Sequence, residues 1–184
     1  MPIQRAKPRF TEVKNFSITG TDLPAGSVLQ VKQGTLTTNF VSSGSSTAFA
    51  DIGLQVAITP TSASNKILVT GLISFSPGAN DHGDIKVLRN GSDFMQSTES
   101  ASTRTKSHLH TYGSASDSTR YQIQPGNLNF LDSPNTTSEV IYKVQTGTPH
   151  DAAYIMQINR DFYNTNAAYS SEVISTITAM EIKG

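Results

Sequence analysis

The chain has 184 residues, no cysteine, 15% charged residues and a formal net charge of zero, which suits one domain with a hydrophobic core and excludes disulfides and thiolate metal sites. The neutral charge argues against nucleic acid as a partner, and the low charge content is typical of a surface covered in an assembly. Because no apolar run approaches the roughly 20 residues that cross a bilayer, and no hydrophobic secretion signal opens the chain, we expect neither membrane insertion nor signal-peptide export.

Residues 1–26 are predicted to form an extended N-terminal arm, and residues 27–184 the folded domain. The arm is rich in proline and in basic residues. Two interpretations are open for it: a mobile solvated tail, or a docking segment whose apolar residues anchor it on another protein while its basic residues meet an acidic surface. We prefer docking, and assign it to basic and aromatic side chains: Arg5, Lys7, Arg9, Phe10 and Phe16.

The domain shows strand patterns throughout. The run 139–145 alternates strictly, and Asn90-Gly91 between two strand-like runs predicts a type I′ hairpin. Further strands are predicted at 28–38, 53–59, 66–76, 106–112, 120–124, 127–131, 153–160 and 172–183. Turn-rich separators such as "TPTSASN" and "QPGN" divide them. This pattern predicts an all-β antiparallel β-sandwich, a jelly roll of about eight to ten strands.

Two of these strands carry apolar residues on both faces. In 66–76, Ile67 and Val69 alternate with Leu68 and Leu72, and the strand 172–183 repeats the pattern. One face suits the internal core. The second face therefore needs another cover, from the same chain or from a neighbouring subunit.

Candidate chemistry is sparse along the chain. His108 and His110, two residues apart, have a workable spacing for a metal pair, but no third ligand is evident and ordinary surface or interface histidines are the preferred interpretation. The loop 80–84, "NDHGD", lacks the spacing of a calcium loop. The sequence "SSGSS" lacks the pattern of a nucleophile elbow. We therefore predict no catalytic residue, no metal site and no cofactor.

Three aromatic residues stand out because they lie in a polar loop, "NRDFYNTNAAYSS". Phe162, Tyr163 and Tyr169 are candidates for stacking on a sugar or packing against a neighbouring protein. The pattern does not decide between these two uses.

Several blocks together carry a resemblance to a known family. They are "LPAGSVLQVKQG", "FADIGLQVAITPTSASNKILVTGLISFS", "VLRNGS", "NFLDSPNTTSEVIYKVQTG" and "YIMQINRDFYNTNAAYSSEVISTITAMEIKG". In this order, and over about Leu23 to Gly184, the chain resembles the C-terminal jelly-roll domain of virion proteins of marine tailed phages. The resemblance implies a non-enzymatic virion structural protein of a tail fibre or surface appendage, without catalytic residues or cofactors, that forms a homotrimer.

The resemblance leads to three functional hypotheses. The first is an attachment module, assembled in the host cytoplasm, whose arm joins other virion proteins in tail or capsid while its loops contact a host surface glycan or protein. The second is a capsid decoration or cement protein, and the third a polysaccharide depolymerase, which requires acids such as Asp117, Asp132 and Glu139 to meet in a groove. For a trimer we assign the interface to Val173, Ile177 and Ala179 on the last strand.

Overall fold

The computed structural model describes residues 23–42, 48–78, 80–99, 103–113 and 120–184. These residues form eleven strands and no α-helix. The strands are β1 (Val28–Leu36), β2 (Phe40–Val41), β3 (Ala50–Ile58), β4 (Lys66–Pro77), β5 (His82–Arg89), β6 (Ser92–Asp93), β7 (Leu109–Tyr112), β8 (Gln124–Asp132), β9 (Val140–Gly147), β10 (Met156–Ile158) and β11 (Ser175–Ile182). Within the described ranges no helix is long and apolar enough to cross a membrane.

The strands form two antiparallel sheets. In sheet A the order is β1-β11-β4-β10-β2, and β8 pairs with β4. One edge of β4 pairs with both β11 and β10, which follow one another along it, and the other edge pairs with β8. β1 pairs with β11 and β2 with β10, so the six strands of sheet A form a sheet four strands wide. Sheet B has the order β3-β9-β5-β6, with β7 also on β5. The predicted all-β antiparallel sandwich is confirmed.

The core lies between the sheets and follows the period-2 pattern of the strands. Val140, Tyr142 and Val144 of β9 are buried, as predicted from the alternation of 139–145. On sheet A, Ile67 and Val69 of β4 are fully buried. Large aliphatic side chains from both sheets fill the interior, so burial of apolar surface holds the sandwich together.

The predicted hairpin is confirmed in its details. Asn90 and Gly91 have φ angles of 50° and 81°, both positive as a type I′ turn requires. The turn joins β5 to β6, where Arg89 pairs with Ser92 and Leu88 with Asp93.

One predicted turn is wrong. The sequence "QPGN" lies inside β8, so the two strands expected at 120–124 and 127–131 are one strand, Gln124–Asp132. Within the described sheet β8 pairs with β4 alone, and an edge strand accepts a proline whose missing N–H faces away from its neighbour. Gly126 meets a need for space, since a Cβ there would lie 2.3 Å from Cδ1 of Leu109.

Candidate functional site

The sandwich has two different ends. At the end that we call the terminal end, the N–H of Gly26 donates to the carbonyl of Lys183 and the N–H of Gly184 donates to Asn65. Leu23, the first described residue, also lies there, because its carbonyl accepts a hydrogen bond from the Lys183 ammonium. The opposite end, which we call the loop end, follows Pro77, the last residue of β4. Pro77 lies eleven residues beyond Lys66, the first residue of β4, at a distance of roughly 36 Å.

The three aromatic residues predicted as contact residues lie together at the loop end. The ring centroid of Tyr163 is 4.8 Å from that of Tyr121 and 6.0 Å from that of Phe162. Tyr169 meets Tyr121 edge-on at 5.1 Å and is 66% exposed. The Arg120 guanidinium lies over both Phe162 and Tyr163, at 5.6 and 5.4 Å. These five residues, which we call the aromatic cluster, offer a partly exposed surface of rings beside a cation.

The structure adds Arg120 and Tyr121 to the aromatic residues that the sequence singles out. Both precede β8 in the chain and are distant in sequence from residues 162–169, so the spacing of residues carries no signal of their contact. The N–H of Phe162 donates to the carbonyl of Arg120, which joins the two segments.

Asp161 shapes the loop that carries the cluster. Its fully buried carboxylate accepts hydrogen bonds from the backbone N–H groups of Asn164 and Ser171 and from the hydroxyl of Ser170. Burial alone would raise the pKa of Asp161, but these hydrogen bonds together hold the pKa below its usual value. The charged carboxylate therefore ties the loop into one conformation.

A second group at the loop end, the histidine pocket, lies on the outer side of sheet B. It is a cavity of about 670 Å³. The lining residues are His82, Asp84, Thr103, Arg104, Thr105, His110, Pro149 and His150. The His82 ring is central, with its centroid 5.6 Å from the ring of His110, 5.0 Å from that of His150 and 4.8 Å from that of Tyr112.

Asp84 provides the floor of the histidine pocket. It is 3% exposed, and its Oδ1 is bonded by the Ser107 hydroxyl and lies 3.2 Å from Nδ1 of His110. Its other oxygen, Oδ2, has no hydrogen-bond partner among the described residues. At the rim, exposed Arg104 forms no ion pair within the described part of the chain.

His108 and His110 do not form a metal pair. Nδ1 of His108 accepts the N–H of Val87, and its Nε2 lies 2.8 Å from the carbonyl of Phe94, so both ring nitrogens serve the fold. Burial lowers the pKa of His108. His110 instead points to Asp84, and the described residues contain no group of three His, Cys, Asp or Glu that could hold a metal ion. In the loop 80–84, Asp81 accepts the N–H of Ile155.

The outer face of sheet A carries exposed apolar side chains. The register places Val31, Met180, Leu68 and Leu131 side by side across four strands. Two further rows complete this surface, which we call the uncharged face: Gln33, Thr178, Thr70, Asn129, and Thr35, Thr176, Leu72, Asn127. Val31, Leu72 and Leu131 are 54%, 41% and 47% exposed. The second apolar face predicted for the strand 66–76 is this surface.

The outer face of sheet B has a different character. Lys143 and Asp51 form an ion pair of 2.8 Å, and Lys86 and Asp93 one of 3.1 Å. A charged face is easily hydrated and needs no cover. The three rows of the uncharged face, by contrast, expose apolar side chains with no charged residue among them, and the exposed Lys66 lies in the next row towards the terminal end.

The residues assigned to a trimer interface need a correction. Ile177 and Ala179 are fully buried between the two sheets of a single chain, so a second copy cannot contact them. Val173, which precedes β11, is half-buried. The outward residues of β11 are Thr176, Thr178, Met180 and Ile182, because side chains alternate along a strand.

Of the remaining candidate residues, the structure describes Asp132 and Glu139. Arg5, Lys7, Arg9, Phe10 and Phe16 of the arm lie outside the described residues. So does Asp117, one of the acids weighed for a depolymerase. Asp132 accepts hydrogen bonds from the buried Tyr142 hydroxyl and from Arg89, so it serves the fold, while Glu139 is exposed.

Comparison of the chain with protein-family models and with curated proteins finds no match.

Proposed function

We propose that this protein is a non-enzymatic structural protein of a bacteriophage virion, which assembles through the uncharged face and presents its loop end for attachment to a host surface. The sequence resemblance supports a role in a virion appendage. The uncharged face is the observation that supports assembly of several copies. A capsid decoration protein is the alternative placement.

The alternation of the chain between the sheets supports the jelly-roll interpretation. The chain passes from β1 and β2 in sheet A to β3 in sheet B, returns to β4, and then builds β5, β6 and β7 in sheet B. It continues with β8 in sheet A, β9 in sheet B, and β10 and β11 in sheet A. Two four-column sheets filled in this order are the arrangement expected of a jelly roll.

Further copies of the chain suit the uncharged face. Threonine, asparagine and glutamine side chains both donate and accept hydrogen bonds, so the homotrimer that the resemblance implies can cover this face without burying a charge. Three rows, each two residues deep along β4, and the width of four strands give a flat area of about 400 Å². That is about half of a standard contribution of about 800 Å² per partner, which suits the apolar centre of an interface whose polar rim supplies the rest.

The two ends support a direction for the assembly. The chain enters the sandwich at the terminal end, where Leu23 meets Lys183. The aromatic cluster and the histidine pocket lie at the loop end, on the far side of β4. An arm that docks on the particle would therefore leave rings and polar side chains pointing outward, where binding residues on loops are expected.

Electron microscopy of intact particles tests the proposal, with gold-labelled antibodies raised against the domain. Label at the tail or at an appendage is the expected result. Label spread over the head would replace attachment with capsid decoration, and particles that contain no such protein would contradict the virion function altogether. Incubation with purified host polysaccharide should leave the chain length of the polymer unchanged, whereas shortening would show an enzyme.

A further inference from the structure

We propose that the histidine pocket binds a carbohydrate, whose ring hydroxyls hydrogen-bond to Asp84 on the floor and to Arg104 at the rim. This inference rests on the proposed function, since it names the kind of host molecule that the loop end would contact. It places the ligand at the pocket on sheet B.

The polar groups of the pocket match the hydrogen bonding of a sugar. Each sugar hydroxyl both donates and accepts, so a site needs acceptors and donors close together. Oδ2 of Asp84 is an acceptor without a partner among the described residues, on a carboxylate that Ser107 and His110 hold from the other oxygen. Arg104 supplies donors that no ion pair occupies in the described ranges. Thr103 and Thr105 add hydroxyls.

The size and the walls of the pocket suit the same ligand. About 670 Å³ lies within the range of roughly 300–1,000 Å³ that small-molecule sites occupy. Imidazole rings and Pro149 offer flat surfaces for the C–H face of a sugar. The rings of Tyr112 and Tyr154 lie 4.8 and 6.1 Å from that of His82 and pack beside the imidazole.

Two other ligands fit less well. The rings of His82 and His110 are stacked, with an angle of 27° between their planes, so their nitrogens do not converge on one point as metal ligands must. A simple anion would face the carboxylate of Asp84, which is buried at the floor of the pocket. A ligand rich in hydroxyls uses the carboxylate as an acceptor.

The four histidines of the chain make a direct assay possible. Three of them line the pocket, and His108, with both ring nitrogens bonded inside the protein, serves as the internal control. The imidazole C–H signals of the full chain are followed by NMR during titration with methyl glycosides of glucose, galactose, N-acetylglucosamine and glucuronic acid, each to millimolar concentration. We expect at least one glycoside to shift the signals of His82, His110 and His150 and to leave His108 unchanged.

Matched variants locate the binding. Arg104→Gln, at an exposed position, should weaken that glycoside at least about tenfold, because a hydrogen bond to a charged group is lost. Asp84→Asn should weaken it comparably, with its melting temperature measured alongside because Asp84 is buried. Tyr169→Ala, in the aromatic cluster, should bind as tightly as the parent protein.

Two outcomes overturn the inference: no glycoside shifts the three pocket histidines, or Arg104→Gln binds with the affinity of the parent. Neither result would affect the proposed virion function, provided that the protein is found on the particle. Conversely, sugar binding by a protein that is absent from the particle would retain the pocket and refute the proposed function.

Discussion

Replacing Leu72 by Glu places a carboxylate on the central strand of the uncharged face, between Thr176 of β11 and Asn127 of β8. Leu72 is 41% exposed, so most of its contribution to folding is already made within the single chain and the rest is available to a partner. The substitution therefore separates assembly from folding. The same logic does not hold for the inward residues of the strand.

The magnitudes follow from this exposure. Full burial of a leucine contributes about 1.5–3 kcal/mol, so covering the exposed two fifths of Leu72 contributes about 1 kcal/mol to association. An unpaired charge in a dry interface costs a further 3–5 kcal/mol or so. A total of about 4–6 kcal/mol weakens each contact between copies by about a thousandfold or more. Folding loses only about 1 kcal/mol, which lowers the melting temperature by about 2–4 °C.

Sedimentation velocity at micromolar concentration measures the assembly, and differential scanning calorimetry measures the fold. Gln55→Glu introduces the same charge on the exposed outer side of β3 in sheet B and is the matched control. We expect Leu72→Glu to sediment as a folded single chain and Gln55→Glu to sediment like the parent. An assembled Leu72→Glu protein would refute the role of the uncharged face.

Three further changes have distinct expected outcomes. Ile177→Asp buries an unpaired charge in the core, at a cost of about 3–5 kcal/mol or more, and should abolish folding. Thr178→Asp, on the outer side of the same strand, should stay folded, and circular dichroism distinguishes the two results. A native spectrum for Ile177→Asp would contradict the assignment of Ile177 to the core. Because burial lowers the pKa of His108, the neutral His108 stabilises the fold above the ordinary imidazole pKa of about 6.5, and this stabilisation is lost as the pH falls below that value. The decline in melting temperature from pH 7.5 to 5 should therefore be shallower in His108→Gln than in the parent. An equal decline in both proteins would refute this role of His108. Removal of residues 1–22 should leave a folded assembly that no longer joins the particle, and incorporation of the shortened chain would rule out the docking arm.

Much of the fold follows from the pattern of the strands. Val140, Tyr142 and Val144 alternate with polar residues, and the sheet buries them as the period-2 rule requires. Asn90-Gly91 predicts its hairpin because few other residue pairs adopt two positive φ angles so easily. Local rules of this kind act between neighbours in the chain, so a single sequence is enough to apply them.

The errors arise where contacts between distant residues decide. The turn predicted at "QPGN" fails because an edge strand accepts Pro125 and close packing against Leu109 requires Gly126. The two faces of β11 are separated correctly by the alternation, but which of them meets sheet B depends on the register with β4, which the pattern does not contain. For that reason the pattern assigns Ile177 and Ala179 to an interface, whereas the structure buries both in the core.

Buried charges are the features that the pattern of residues conceals most completely. Glu181 is fully buried, yet its carboxylate accepts hydrogen bonds from the side chains of Gln30 and Asn65 and from the N–H and hydroxyl of Thr61. Burial would raise the pKa of Glu181, but these bonds together lower it. The residues that donate these hydrogen bonds lie more than a hundred residues away from Glu181 in the chain, so no local sequence motif indicates them.

Part of the candidate site could be predicted and part could not. An aromatic residue in a polar loop is a visible signal, and Phe162, Tyr163 and Tyr169 do lie together. The histidine pocket gathers His82, His110 and His150 from three separate segments, with no spacing between them that suggests contact. Only the pairing of β5 with β7, and the return of the chain after β9, bring them together.

The mass of the full chain in solution tests the central claim, that copies of the chain assemble, most directly. Size-exclusion chromatography with light scattering at micromolar concentration should give three times the chain mass of 19.7 kDa. A mass equal to that of one chain would contradict the account, because the exposed apolar row from Val31 to Leu131 would then face water in the working protein.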